Sequence, residues 1–450
     1  DFDTETSTYN VAVGYNAGIA VTTGVQNTLL GGLAGDGLTT GSQNVALGYQ
    51  SLSTDDLGSH NVAIGANALS DMNFATATDS YNTAVGDQAG LRVTTGVRNA
   101  LLGGLAGDAL TDADHNVAMG FGALSSDTLG SRSTALGDSA LVSQNFTTAT
   151  DVYNVAVGYF AGGSITTGIY NTLIGGLAGD ALTTGNNNVA IGLNALTSDT
   201  KGDQSVAIGN DALNAQNFTT NTDAFNVAVG KSAGAAVTTG IRNTLLGGQA
   251  GDALTSGEEN VLIGYSAGAH DTNLQTGSRV VVIGAFADTS TTGATDAIVI
   301  GRDVSGAGGF TTLGSGTSDI RAANGVATWN TVSDERYKKD IADSTLGLSF
   351  INALKPRTFN YKTKGELPDT FRAYEEGSSE VYKFPETQHG FIAQEVKAAI
   401  DADSGVADGF KMWAERPDGS QEVGEAALIP VLVKAIQELS AEIETLKSGG

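Results

Sequence analysis

The chain has 450 residues and a formal net charge of −26, with 61 glycines, 5 prolines and no cysteine. This composition excludes disulfides, thiolate nucleophiles and cysteine-ligated metal sites. It also argues against a nucleic-acid partner, because phosphates need a basic face. No apolar run approaches the roughly 18 residues of a spanning helix, so we expect no membrane insertion. The sequence starts at Asp1 and its methionines are all internal, so we expect more chain upstream, including the part that joins the other proteins of its assembly.

A five-residue phrase, close to Asn-Val-Ala-Ile-Gly, recurs along residues 1–304. Three 17-residue spacings and then one 21-residue spacing separate its closing glycines, and this series recurs as a 72-residue super-repeat. Alternating side chains followed by glycine predict a short β-strand that ends in a tight corner. Stacked coils of this kind predict a parallel β-roll or β-solenoid, roughly 80 Å long at ~4.8 Å per coil. The closing glycines are Gly14, Gly31, Gly48, Gly65, Gly86, Gly103, Gly120, Gly137, Gly158, Gly175, Gly192, Gly209, Gly230, Gly247, Gly264, Gly284 and Gly301.

The phrase is similar to a motif of one known family. Asn61–Gly65 and Asn188–Gly192 both read Asn-Val-Ala-Ile-Gly, and they resemble the head repeats of trimeric autotransporter adhesins. That resemblance implies β-rolls that pack as trimers. The 17-residue unit is longer than the unit of that family, so the shape of the coil is not carried over.

Every fourth coil carries four extra residues, which we predict to form a flap at the surface. The first flap spans Asn73–Asp79, and its counterparts begin at Asn145 and Asn217. Each flap combines an aromatic ring with Asn, Thr and Asp, a mixture suited to sugar contacts, so the flaps are candidate receptor-binding sites. The alternative is that the phenylalanines only pack the flap against the roll or a neighbouring subunit. The candidate contacts are Phe74, Asp79, Phe146, Asp151, Phe218 and Asp223.

One recurrent motif in the roll resembles a cation site. Gly-Gly-Leu-Ala-Gly-Asp ends at Asp36, Asp108 and Asp180, and calcium-binding β-rolls use a related nonapeptide in tandem. Here the motif occurs once per super-repeat. We therefore interpret these aspartates as turn caps, and we expect neither a metal nor a cofactor.

The composition changes near residue 305. We interpret residues 305–332 as a glycine-rich neck and residues 333–450 as a small α+β domain that ends in a coiled-coil helix. All five prolines lie beyond Ser333. Five motifs follow one another in this domain: Ser333–Ile341, Leu348–Pro356, Phe359–Lys362, His389–Val396 and Leu432–Leu439. Their succession resembles the intramolecular chaperone domain of the endosialidase type, the self-cleaving S74 peptidases at the C-termini of phage tail fibres and spikes.

This resemblance implies a single-turnover reaction and no external substrate. In the family, the domain drives trimer assembly of the preceding β-fibre and then cuts the chain before a serine, which here is the Val332–Ser333 bond. Lys338 matches the basic partner of that serine, and His389 begins a matching motif and is a candidate supporting group. Ser333 and Lys338 would lie about 140° apart on a helix, so we predict a turn between them. The alternatives are a non-cleaving variant with an ordinary surface lysine, and a structural role for His389.

The last helix carries an apolar seam whose members step along the chain by three and four in alternation, a pattern typical of a short coiled coil. We predict that this seam holds three protomers together. The alternative is one amphipathic helix buried in its own domain. The seam consists of Ile429, Leu432, Ile436, Leu439, Ile443 and Leu446.

Together these features predict the distal part of a bacteriophage tail fibre or spike. We expect a homotrimer in the virion tail that contacts a host surface receptor, either a glycan or an outer-membrane component. A bacterial surface adhesin with the same repeats is one alternative. A fibre that acts on host polysaccharide through an upstream domain is another.

Overall fold

A computed structural model describes residues 7–326, 328–331, 333–406 and 410–449. The chain forms two units, Asp1–Val332 and Ser333–Gly450. Among the described residues, no helix combines the length and the apolar character that crossing a membrane requires.

The first unit is a parallel β-solenoid, so the predicted architecture is confirmed. Its described part stacks seventeen short strands in parallel, one per coil, and pairs them with the offsets of the sequence repeat. Val11 pairs with Thr28 across the shorter spacing of the repeat, and Val62 pairs with Thr83 across the longer spacing. The strands are Val11–Val13, Thr28–Leu30, Val45–Leu47, Val62–Ile64, Thr83–Val85, Ala100–Leu102, Val117–Met119, Thr134–Leu136, Val155–Val157, Thr172–Ile174, Val189–Ile191, Val206–Ile208, Val227–Val229, Thr244–Leu246, Val261–Ile263, Val281–Ile283 and Ile298–Arg302.

The second residue of each strand points into the solenoid, and the residues on either side of it point outward. Ala63 and Leu101 are buried, whereas Leu102 is 43% exposed. A coil this short encloses little space, and close packing leaves room for one alanine, valine or leucine at this level. The other apolar side chains of the strand face out.

The closing glycines form the corners after the strands. Their φ angles lie between 131° and 143°, a region that is essentially restricted to glycine. A Cβ on Gly175 would lie 2.5 Å from the carbonyl oxygen of Gly192 in the next coil. Conformation and space both require glycine here, which explains the regular spacing in the sequence.

A column of buried asparagines ties neighbouring coils together. The backbone N–H of Asn188 donates to Oδ1 of Asn171 in the coil before it, over 3.0 Å. Nδ2 of Asn188 donates to the carbonyl of Gly202 in the coil after it, over 2.8 Å. Each asparagine thus satisfies polar groups that would otherwise be buried without a partner. The first residue of the repeated phrase is structural.

The flaps are fastened to the solenoid, and their phenylalanines pack against it, as the alternative to a receptor contact predicted. The rings of Phe74, Phe146 and Phe218 are only 5–7% exposed, so these rings do not face outward on the protomer. They pack into the body of the solenoid because a benzyl side chain gains more from burial than any other group in the flap. Two-residue parallel strands join each flap to the preceding coil, and a similar pair lies near the end of the solenoid. These pairs are Gly58–Ser59 with Thr78–Asp79, Gly130–Ser131 with Thr150–Asp151, Gly202–Asp203 with Thr222–Asp223, and Asp288–Thr289 with Ser305–Gly306.

The segment interpreted as a glycine-rich neck instead extends the solenoid sheet. Strand Phe310–Ser315 pairs in parallel with Ile298–Arg302. The chain then reverses, and Ser318–Ala323 and Asn330–Thr331 add to the sheet in antiparallel order. The aromatic and β-branched residues Phe310, Thr311 and Thr312 favour a strand, and the glycine content of the segment obscured this signal.

The second unit has a small core around Phe350 and Met412, both fully buried. Its helices are α1 (Leu348–Ala353), α2 (Ala393–Ala402) and α3 (Leu428–Ser448), with 3₁₀ turns at Glu335–Tyr337, Lys364–Glu366 and Glu425–Ala427. Two antiparallel strand pairs complete it: Arg357–Phe359 with Gln388–Gly390, and Trp413–Glu415 with Gln421–Val423. These elements confirm the predicted small α+β region with a terminal helix.

Candidate functional site

The first residues of the second unit bring a serine hydroxyl and a lysine amine together. Nζ of Lys338 donates a hydrogen bond to Oγ of Ser333 over 2.7 Å. The 3₁₀ turn Glu335–Tyr337 lies between the two residues, so the turn that helix geometry demanded is present. Val332, on the other side of the predicted scissile bond, lies outside the described residues.

Asp334 builds this turn. Its Oδ1 accepts the backbone N–H of Arg336 over 2.9 Å, and its two carboxylate oxygens accept from the Arg336 guanidinium over 3.0 and 2.7 Å. The guanidinium holds the pKa of Asp334 below its usual value. We did not predict this cap, although an aspartate directly before a short turn is a recognisable signal.

Ser333 and Lys338 are both exposed on the protomer. A serine hydroxyl becomes a nucleophile when a base takes its proton, and a lysine amine is such a base only in its neutral form. Removal from water favours the neutral form of an amine. The pair therefore has the contact that the reaction needs, and a partner that covers it would supply the missing desolvation.

His389 belongs to another element of the second unit. It sits on the strand Gln388–Gly390, where its backbone faces Thr358, and its side chain is exposed. Within the described residues no hydrogen bond joins His389 to Ser333 or Lys338. A supporting role for His389 stays a prediction.

The segment that begins with this pair matches a known family. Residues 333–404 fit the model of the family described as the chaperone of endosialidase, the S74 peptidases. This segment of the second unit is similar to the endosialidase-type chaperones. The match begins at Ser333, the residue that carries the hydroxyl. No curated protein matches the chain.

The last helix of the second unit leaves the predicted seam uncovered. The face that packs on the domain core is formed by Leu428, Val431 and Ala435. The seam runs along the adjacent face, where Ile436 is 64% and Leu446 is 76% exposed. All residues from Leu439 to Gly449 are exposed. Since an isolated helix this short is marginal in water, this part of α3 needs a partner.

The flap aspartates remain at the surface although the phenylalanines do not. Asp79, Asp151 and Asp223 are exposed. Each pairs with a side chain from the preceding coil: Asp79 with His60, Asp151 with Arg132, and Asp223 with Gln204. A receptor role for these aspartates stays a prediction.

A buried aspartate anchors each flap, and our sequence analysis missed it. Oδ1 of Asp127 accepts the backbone N–H of Phe146 over 2.9 Å, and Oδ2 accepts Nε2 of Gln144 over 2.6 Å. Asp199 makes the same contacts with Phe218 and Gln216. The signal was available, because these residues recur with the period of the super-repeat.

The first super-repeat departs from this arrangement. Asp55 corresponds to Asp127, but Met72 stands where the others have glutamine. Oδ2 of Asp55 is consequently buried with no partner among the described atoms. Burial raises the pKa of Asp55 to about 6, against opposing hydrogen bonds from the backbone N–H groups of Gly58, Leu57 and Phe74.

Met72→Gln should stabilise the solenoid, and the gain should be larger at pH 7 than at pH 4. The pKa of Asp55 is higher in the folded chain than in the unfolded chain. This difference stabilises the folded state below about pH 4, and the stabilisation is lost as the pH rises through 6. A shift of about two units corresponds to about 3 kcal/mol. The added amide would donate to the ionised carboxylate and recover about 1–2 kcal/mol of this loss at pH 7.

Urea unfolding of both proteins at the two pH values measures the effect. The matched control is Gln144→Met, which should destabilise the second super-repeat at pH 7. An equal gain for Met72→Gln at both pH values would contradict the argument from the ionised carboxylate.

One group of described side chains has the composition of a metal site. Ligand atoms of His270, Asp271 and Asp303 lie within 4.8 Å of one another, and all three residues are exposed. Exposed acidic groups commonly cluster without an ion, and nothing else around this group indicates a ligand. The expectation of no metal stays a prediction.

Proposed function

We propose that this chain is the distal part of a bacteriophage tail fibre or spike. Its chaperone domain assembles three copies and then leaves by cleavage of the Val332–Ser333 bond. The observation that carries this proposal is the 2.7 Å hydrogen bond between Lys338 and Ser333 at the first residue of the chaperone domain. The solenoid would remain in the virion tail, joined upstream to other fibre proteins, and contact a host glycan or outer-membrane component.

The cleavage step follows from the position of the hydroxyl. The neutral amine of Lys338 takes the proton of the Ser333 hydroxyl, and Oγ attacks the carbonyl carbon of Val332. The C–N bond breaks, the proton passes to the leaving nitrogen, and an ester joins Val332 to Oγ. Water then hydrolyses the ester, which leaves a carboxylate on Val332 and a free amine on Ser333.

Assembly is supported by the uncovered part of α3. Its exposed apolar seam is arranged for other helices of the same kind. Ser333 and Lys338 are exposed on a single protomer, and burial by another copy would favour the neutral amine that the reaction needs. We therefore place cleavage after trimer formation.

The intact mass of the chain under denaturing conditions, together with its native mass, tests the proposal. We expect fragments 1–332 and 333–450, and a native mass of three copies of fragment 1–332. Full-length trimers would contradict cleavage, and the second unit would then be a permanent trimerisation domain. A monomeric product would contradict the assembly role.

Labelled 1–332 trimers should bind only some strains in a panel of whole bacteria.

Replacement of Ile436 and Ile443 by serine should prevent trimer formation. Each isoleucine is expected to contribute about 2 kcal/mol when it is buried between helices, so loss of both from every chain should weaken assembly more than ~100-fold. The matched control is Gln437→Ser with Glu444→Ser, which alters two exposed positions with the same spacing. Sedimentation of freshly expressed protein measures the outcome. Unchanged trimers in the isoleucine variant would contradict the coiled-coil prediction.

A further inference from the structure

The outward side of the solenoid sheet is an uncovered apolar surface. We define the outer face as the first and third residues of the seventeen parallel strands. Every third residue is Val, Leu, Ile or Met, and the first residues are Val, Ile, Ala or Thr. Leu246 is 46% and Ile174 is 37% exposed, although both belong to strands with a neighbour on each side. No charged residue occurs on the outer face of the described strands.

The area of this surface is at the upper end of the apolar patches that proteins expose to water. Seventeen strands at ~4.8 Å and a width of two residues give a strip of roughly 80 by 7 Å, or roughly 560 Å². Apolar patches of this size usually mark a surface that contacts another molecule. The solenoid carries 28 acidic residues against 9 basic ones up to residue 332, so acidic side chains were available, but none occupies the outer face.

The residues on the two sides of the outer face have compositions that are typical of protein interfaces. On one side, the residue after the closing glycine is often a large exposed side chain such as Tyr49, Phe121 or Tyr265. On the other side, the residue before the buried asparagine is mostly polar and exposed, as at Arg98, His115 and Arg242. Interfaces are enriched in aromatic residues and surrounded by a polar rim.

We infer that the outer face is the surface on which the solenoids of other copies of this chain pack. The inference rests on the proposed homotrimer and deepens it by assigning the contact. A partner that covers the whole strip must present side chains that repeat at the strand spacing. A second copy has this repeat because it has the same sequence. The uncovered seam on α3 is a separate observation that also predicts packing against two other copies of this chain.

Paired substitutions in one coil test the inference. Ile174→Glu places a carboxylate on the outer face, and Thr167→Glu places the same group on an exposed site elsewhere in the coil. We expect Ile174→Glu to reduce the trimer fraction in sedimentation more than 10-fold, with Thr167→Glu equal to the wild type. Both substitutions are compatible with the folded protomer, because each side chain replaces one that water already reaches.

Cysteine substitutions provide a second measurement, because the natural chain has no cysteine. Oxidised Ile174→Cys should give disulfide-linked dimers, up to two chains of every three, whereas Thr167→Cys should stay unlinked. A wild-type trimer with no linkage at position 174 and with full tolerance of Ile174→Glu would overturn the inference and leave the proposed function intact. A monomeric wild type would overturn the proposed function itself.

Discussion

Replacement of Ser333 by alanine should leave every chain at full length after trimers have formed. The variant keeps the fold, because the serine side chain is exposed and its only described partner is Lys338. It removes the oxygen that attacks the Val332 carbonyl. No other hydroxyl occupies this position, so cleavage should fall more than ~1000-fold. Denaturing mass spectrometry over several days measures the fraction cut.

Two comparisons separate loss of the nucleophile from loss of the fold. Ser349→Ala removes another exposed hydroxyl of the same domain and should cleave as the wild type does. Lys338→Arg keeps the positive charge but supplies no neutral amine, so it should behave like Ser333→Ala. Normal cleavage in Lys338→Arg would exclude Lys338 as the base.

The overall architecture could be predicted because one backbone requirement recurs in every coil. The closing glycines occupy a conformation that other residues avoid, so their regular spacing records the coil length directly. The sequence did not reveal which side of each strand is inside. Val, Ala and Ile are all apolar, and the choice depends on the narrow space within the coil.

The flaps show where local composition misleads. Phenylalanine beside Asn, Thr and Asp resembles a binding surface, yet Phe146 is buried and Asp127 holds its backbone in place. Asp127 and Phe146 belong to successive coils, and their contact depends on how those coils stack. At the candidate cleavage site, by contrast, the partners are five residues apart, and the local turn alone brings them together.

Substitution of Gly175 by alanine should disrupt the solenoid, whereas the same change at Gly176 should be almost neutral. Gly175 has a φ of 134°, and a new Cβ would lie 2.5 Å from the carbonyl oxygen and 2.6 Å from the carbonyl carbon of Gly192. Both obstacles are backbone, so no side-chain rotation relieves them. Strain of this kind costs about 1–3 kcal/mol before the steric clash is added, and we expect a loss of at least ~4 kcal/mol per chain.

Gly176 is the matched control because it is the next residue in the same coil. Its φ lies outside the left-handed region, and a Cβ would meet only Cδ1 of Leu193 at 3.5 Å, an ordinary contact. Gly176→Ala should therefore stay within about 0.5 kcal/mol of the wild type. Thermal unfolding followed by circular dichroism, on the Ser333→Ala background so that every chain is uncut, compares the two variants. Equal melting temperatures for both would show that the coil corner tolerates a side chain. The conformation of the corner would then not explain the regular spacing of the glycines.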